Sequence, residues 1–187
     1  VDTLLTERTL STLDRDKRLL TKDNSNGLIP GEGAGAIVLS APDETRDKQF
    51  LLYGCGYGVE EVTINHSDQP FRANGLVSAI QEVFHRTGLN HESVDYRLTD
   101  ISGELYAFKE AALAASRTIK TVKEEFDLLH PADCIGDVGA AVVPIMVAVA
   151  ANAAQRQLVG GRGVLFHCSN NDSQRAAMMG GFEEQEI

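Results

Sequence analysis

Two polar constellations decide what chemistry this sequence could do. Asp100, Ser102 and Glu104 follow the apolar stretch Tyr96 to Leu98, at the C-terminal end of an expected strand, where α/β sheets tend to place ligands. Asp100 or Glu104 could act there as a general base. The competing reading makes Asp100 and Ser102 caps of a helix starting near Glu104, with the acids at its positive end. The second group is His130, Asp133, Cys134 and Asp137, all within eight residues. A cysteine–histidine pair can make a nucleophile, and a helix N-terminus lowers a thiol pKa. Against this, Pro131 separates His130 from Cys134, and nearby acids raise a thiol pKa. The competing reading is an N-cap turn with Asp133 or Asp137 as cap. Asp100, Glu104, His130, Cys134 and Asp137 are therefore the candidate catalytic residues.

The remaining histidines and thiols point to less. His167 and Cys168 are adjacent on one expected strand, so they face opposite ways and cannot share a metal. His66 stands beside Asp68 in a polar loop, where an acyl-site role is a remote option. His85 and His91 flank a helix end and read as solvated. Cys55, Cys134 and Cys168 form neither a disulfide framework nor a CxxC metal pattern. No metal site and no cofactor is expected, and the odd cysteine count favours reduced, cytoplasmic thiols.

Charge narrows the partners. The 187 residues carry 17 basic and 27 acidic side chains, a formal net charge of -10. Neutralising phosphates needs clustered Lys and Arg, so nucleic acid is not an expected partner. No apolar run reaches the roughly 20 residues that span a bilayer. The longest, Val138 to Ala154, is broken by Pro144 and Asn152 and reads as a buried helix. The chain opens on Val1-Asp2-Thr3 with no signal peptide, and the missing Met suggests that upstream sequence has been left out.

The elements that must position these residues follow from periodicity and punctuation. A short helix is expected over Glu7 to Asp14 with Thr6 as its N-cap, then a polar turn over Lys22 to Gly27. Leu28 to Leu39 reads as a glycine-spaced apolar strand. Phe50 to Gly58 reads as a strand whose glycines mark a bulge or a close backbone approach. Leu76 to Thr87 has helical spacing with Gly88 as C-cap. Further on come strand Tyr96 to Ser102, helix Glu104 to Val122, strand Phe126 to Leu129 and helix Asp137 to Gln155. Strand Val164 to Ser169 and a hairpin partner, Ala176 to Phe182, close the chain. This alternation predicts an α/β sheet with crossover helices and an antiparallel edge.

Three segments resemble, in order, the β-ketoacyl synthase family of the thiolase-like superfamily. Asn26 to Leu39 (NGLIPGEGAGAIVL) resembles the family's RDGFVxGEGAGALVLE segment, which closes the first half of its fold. Leu52 to Gly58 resembles the strand that opens the second half. Ile135 to Ala141 (IGDVGAA) resembles the GHxxGAAG turn before a long apolar helix. The first match is specific; the other two gain weight from their order. The resemblance implies an α/β, thiolase-like half, with a mixed five-stranded sheet and helices on both faces. Residues 1–40 would be the tail of the N-terminal half, with a helix, a turn and the last strand, and residues 50–187 the C-terminal half.

The departures fall on functional motifs. The family's first catalytic histidine, in HGTGT, would lie in Thr99 to Glu104, where there is none. The second, in GHxxGA, falls on Gly136 or Asp137. The lysine before it is replaced around Pro131-Ala132, and GFGGxN corresponds to Ser169 to Ser173, which lacks glycine. In the family two imidazoles stabilise a malonyl-derived enolate, and removing one such donor typically costs about 3–4 kcal/mol of transition-state stabilisation. A carboxylate in that place opposes the developing charge unless it stays protonated. None of the three cysteines has the family's DxACSS context, so the nucleophile would lie upstream. The resemblance thus implies a non-condensing scaffold or binding half of a larger protein. The alternative is an acyltransferase or condensing enzyme acting on acyl thioesters with an upstream cysteine. A third, weaker option is thiol chemistry centred on Cys134. Implied partners are the missing N-terminal half, an acyl carrier protein or coenzyme A thioester, and a second copy in a homodimer.

Overall fold

Alternation along residues 163–169 sets the two faces of the sheet. In the computed structural model, which describes residues 6–43, 45–46, 48–65 and 69–184, Leu165 joins one buried cluster and Val164 and Phe166 the other, as period-two side chains must. His66 and Asp68 lie outside the described residues.

The elements in chain order are α1 (Glu7–Arg15), β1 (Lys48–Val59), α2 (Asn74–Thr87), β2 (Tyr96–Thr99), α3 (Leu105–Thr118), β3 (Leu128–Leu129), α4 (Ala132–Ile135), α5 (Val142–Gln155), β4 (Gly163–Ser169) and β5 (Gln174–Glu184). One five-stranded sheet runs β1-β5-β4-β2-β3. β1, β5 and β4 are antiparallel neighbours, while β4, β2 and β3 are parallel. The parallel strands need crossover helices, and α3 and α5 supply them. The first cluster joins Leu76, Ile80 and Val83 of α2 and Ala114 of α3 to Leu165, Ala177 and Met179. The second joins Met146, Val147 and Ala150 of α5 to Tyr96, Leu98, Val164 and Phe166. Helices therefore cover both faces, as the resemblance implies.

Glycine fixes the closest approach. A β-carbon on Gly58 would strike the carbonyl of Gly75, and one on Gly75 would strike the backbone at Glu60, so β1 and α2 meet backbone to backbone. β1 also shifts register between Leu52 and Gly54. Bulge and close approach, read as alternatives from FLLYGCGYG, both occur.

Local signals hold at several ends. Thr6 Oγ1 accepts from Thr9 N at 3.2 Å at the start of α1, and Gly88 takes φ 69° after α2. Other expectations need correcting. No strand forms over residues 31–43; Val38 is 98% exposed and Leu39 69%. A strand exists only through a hydrogen-bonded neighbour, and among the described residues backbone pairing reaches Gly31 and no further. β2 stops at Thr99 because the Ser102 carbonyl accepts from Ile29 N at 2.8 Å. The helix expected from Asp137 begins only at Val142. Asp137 N donates to the Ile29 carbonyl and its own carbonyl accepts from Gly31 N at 3.0 Å, which commits this backbone to residues 29–31. α3 ends at Thr118, and the strand expected from Phe126 is only Leu128–Leu129. Among the described residues, no helix is long and apolar enough to cross a membrane.

Candidate functional site

A cavity of about 480 Å³ opens where the C-terminal ends of β2 and β4 meet the turn before α5. Its walls come from Asp100 to Ser102 and Glu104 after β2, Asp137, Gly139 and Ala140 before α5, and Cys168 to Asn171 at the end of β4 and beyond, with Leu28, Tyr57, Tyr106 and Arg175 closing it. Three segments distant in sequence therefore share one space. No histidine lines it among the described residues.

Asp100 is its most perturbed carboxyl. Oδ2 accepts from Ser169 N at 2.9 Å, and Oδ1 lies 3.3 Å from Thr99 Oγ1. Protein surrounds the group while part of its surface meets the cavity. Burial pushes its pKa up to about 7; the Asp137 charge adds to the rise, and the Ser169 and Thr99 hydrogen bonds hold it back. It caps no helix: at the start of α3, Leu105 N donates to Asn26 Oδ1 at 2.8 Å.

Glu104 also lines the cavity but is committed. Arg18 binds it through Nε at 2.8 Å and Nη2 at 2.7 Å, and Nη2 also donates to Asn171 Oδ1 at 2.9 Å. A carboxylate held in a fork has both oxygens engaged by its arginine. Asp137 accepts from Gly139 N at 2.8 Å, so it shapes the turn as a local cap. That turn leans on residues 29–31, with Gly136 at φ 73° in close contact with Gly31.

The other two candidates lie elsewhere. Cys134 is exposed and outside the cavity wall. His130 stands off the wall too: Nδ1 approaches Asp133 Oδ1 at 2.9 Å without hydrogen-bond alignment, and the ring meets Phe108 edge-on at 5.5 Å. Of the five candidates, the cavity collects Asp100, Glu104 and Asp137. His167 is buried on the face of β4 opposite Cys168. Burial, helped by Arg97, pulls its pKa down to about 3, so it is a neutral core imidazole. The Cys168 thiol on the wall is pushed up by burial and by Asp100, which keeps it protonated and unreactive. Among the described residues, no cluster of three or more His, Cys, Asp or Glu could hold a metal ion.

Sequence reasoning missed the ion pair behind the wall. Arg175 Nε donates to Glu110 Oε1 at 2.7 Å with both side chains buried. Its Nη1 donates to the carbonyls of Asn170, Asp172 and Gln174, and Nη2 to Tyr106 Oη at 3.2 Å. Tyr106 in turn donates to the Val62 carbonyl at 2.8 Å. Arg175 thus pins the β4–β5 loop that rims the cavity. A single arginine inside the small, apolar run of β5 was its signal, because a buried cation requires a buried partner.

No family model and no curated protein matches the chain. Solved structures do. The ishigamide ketosynthase/chain length factor superposes with a TM-score of 0.69 at 12% identity, over 95% of this chain and 51% of that one. A ketosynthase in complex with its chain length factor from Xenorhabdus doucetiae gives 0.70 at 10% identity, over 95% and 50%. An oxazolomycin ketosynthase domain from Streptomyces albus gives 0.59 at 10% identity, over 74% and 31%. The chain spans about half the length of the first two structures. At these identities the likeness speaks for architecture alone, and the chain has the thiolase-like fold of the ketosynthases.

Proposed function

We propose that this chain is the C-terminal, non-condensing half of a ketosynthase-fold protein and works as a scaffold or binding half. In this reading residues 1–40 are the tail of the N-terminal half and residues 50–187 the C-terminal half. The observation that carries it is the cavity: the three segments onto which the resemblance maps the family's imidazoles and glycine-rich turn converge there, and the wall offers carboxylates. An enolate needs donors. An ionised Asp137 opposes it, Arg18 is committed to Glu104, and Arg175 to Glu110. The partner is the other half of the fold, and beyond it a ketosynthase-type subunit such as those paired in the matched structures. The exposed Val38 and Leu39 fit a segment that finishes as a strand only against that other half.

One observation favours a second reading, a condensing or acyltransferring enzyme with an upstream cysteine. Asp100 titrates near neutrality, as acid–base residues do. Radiolabelled malonyl- and acyl-carrier thioesters incubated with the full chain and its partner separate the two. The scaffold reading expects no decarboxylation or condensation attributable to this chain. Sustained turnover that disappears in Asp100→Ala overturns it.

A further inference from the structure

We propose that the cavity is a binding site for an uncharged aliphatic ligand bearing a carbonyl oxygen, with undissociated Asp100 as the hydrogen-bond donor that selects it over the corresponding carboxylate. The proposal rests on reading this cavity as a binding rather than a condensing site.

Three features of the wall lead there. Its volume, about 480 Å³, is that of a small-molecule site, and Leu28, Ile64, Ile101, Val142 and Val143 give it an apolar lining. The one cation on its described wall is spent, since Arg175 is sealed against Glu110, and Arg18, outside the wall, is forked onto Glu104. No described cation on the wall is left to anchor a carboxylate or phosphate, and Asp137 repels one. The third feature is Asp100 itself. Of the groups bonded to it, Ser169 N–H and its own backbone N–H can only donate, and Thr99 Oγ1 is a longer contact at 3.3 Å. An acidic hydrogen on Asp100 is therefore left for an oxygen in the cavity, and a ligand carbonyl can accept it.

The groups facing Asp100 keep it protonated. Thr99 lies beside it on β2, Cys168 and Ser169 on β4, and Asp137 before α5, while Glu104 at α3, held from behind by Arg18, and Tyr57 of β1 complete the wall. None is a free cation that would favour the ionised form. With a pKa of about 7, Asp100 is almost wholly neutral at pH 5.5 and almost wholly ionised at pH 8.5. Affinity should fall about 30-fold between those values.

The test is ligand-observed NMR titration of the full chain with octan-2-one at pH 5.5, 6.5 and 8.5 and with sodium octanoate at pH 6.5, where octanoate is almost wholly ionised while Asp100 is still mostly protonated. Wild type should bind the ketone at pH 5.5, weaken at least tenfold by pH 8.5, and bind octanoate at least tenfold more weakly than the ketone at pH 6.5. Asp100→Asn keeps a donor without a charge, so its ketone affinity should agree within twofold at pH 5.5 and 8.5. Asp137→Asn removes the facing charge and should move the loss to lower pH. Ketone binding that is absent, or unchanged with pH in wild type, overturns the proposal; so does octanoate binding as tightly as the ketone, or a folded Asp100→Asn, by circular dichroism, that no longer binds. Each of those results leaves the non-condensing reading standing. Turnover of malonyl thioester sinks that reading and leaves the ketone titration as it was.

Discussion

Replacing Asp100 with Asn should stabilise this protein at pH 8 and scarcely change it at pH 4. In the unfolded chain the carboxyl ionises near its ordinary 3.8; in the fold it ionises near 7. Between these values the unfolded state holds fewer protons, so stability falls as pH rises, by about 1.4 kcal/mol for each pH unit. The loss begins near pH 4 and is complete just above pH 7, reaching about 4 kcal/mol. Asn retains an oxygen to accept from Ser169 N and never acquires the charge. The gap between variant and wild type should therefore open from near zero at pH 4 to as much as about 4 kcal/mol at pH 8. That is a large share of the 5–15 kcal/mol that typically holds a domain together. For a chain of this size it corresponds to a melting-temperature difference of roughly 10 °C. Urea denaturation of both proteins at half-unit steps from pH 4 to 8 measures the gap, with the slope m checked for constancy. A gap that is the same at both ends of the range would refute the argument, because it would mean that Asp100 ionises alike in the two states.

Arg175→Met strands Glu110 as an unpaired buried carboxylate and should cost about 3–5 kcal/mol, most of it regained in Arg175→Met/Glu110→Leu; denaturant titration of both variants decides it. Gly58→Ala drives a methyl into the Gly75 carbonyl and should cost about 1–3 kcal/mol, read as a lowered thermal midpoint. Iodoacetamide at pH 7.5 should modify exposed Cys134 first and Cys168 last, as peptide mass mapping would detect, since Cys168 is only partly exposed and its pKa is raised; early labelling of Cys168 would contradict the protonated thiol described above.

Elements whose signal is local were legible in the sequence. α2 could be read because Leu76, Ile80 and Val83 repeat at helical spacing and Gly88 ends the run. β4 and β5 could be read because β-branched and aromatic residues alternate in one and small residues run through the other. Residues 28–39 misled for the opposite reason. Their apolar, glycine-spaced pattern describes a strand, but a strand is a relation between two backbones. Here the backbone of Ile29 and Gly31 bonds to Ser102 and Asp137 instead, and Ile37 to Leu39 find no sheet neighbour among the described residues. The same bonds explain why Asp137 opens a turn where its composition reads as a helix start.

The candidate site was legible only in part because chemistry depends on what each group has already spent. Sequence spacing set Asp100 and Glu104 side by side as equivalent bases. The fold separates them through Arg18, which arrives from 86 positions away to fork onto Glu104 and leaves Asp100 with backbone and hydroxyl donors alone. His130 and Cys134 looked adjacent on the chain but turn from the cavity, while Cys168, weighed only against a metal, turns into it. Nothing local to Glu104 announces its arginine, and nothing local to Asp100 announces Asp137. What the sequence could disclose was the set of segments that depart from the motifs they resemble. Those segments are held to one cavity by backbone bonds, Ile29 to Ser102 and Gly31 to Asp137, which do not depend on the side chains that line it.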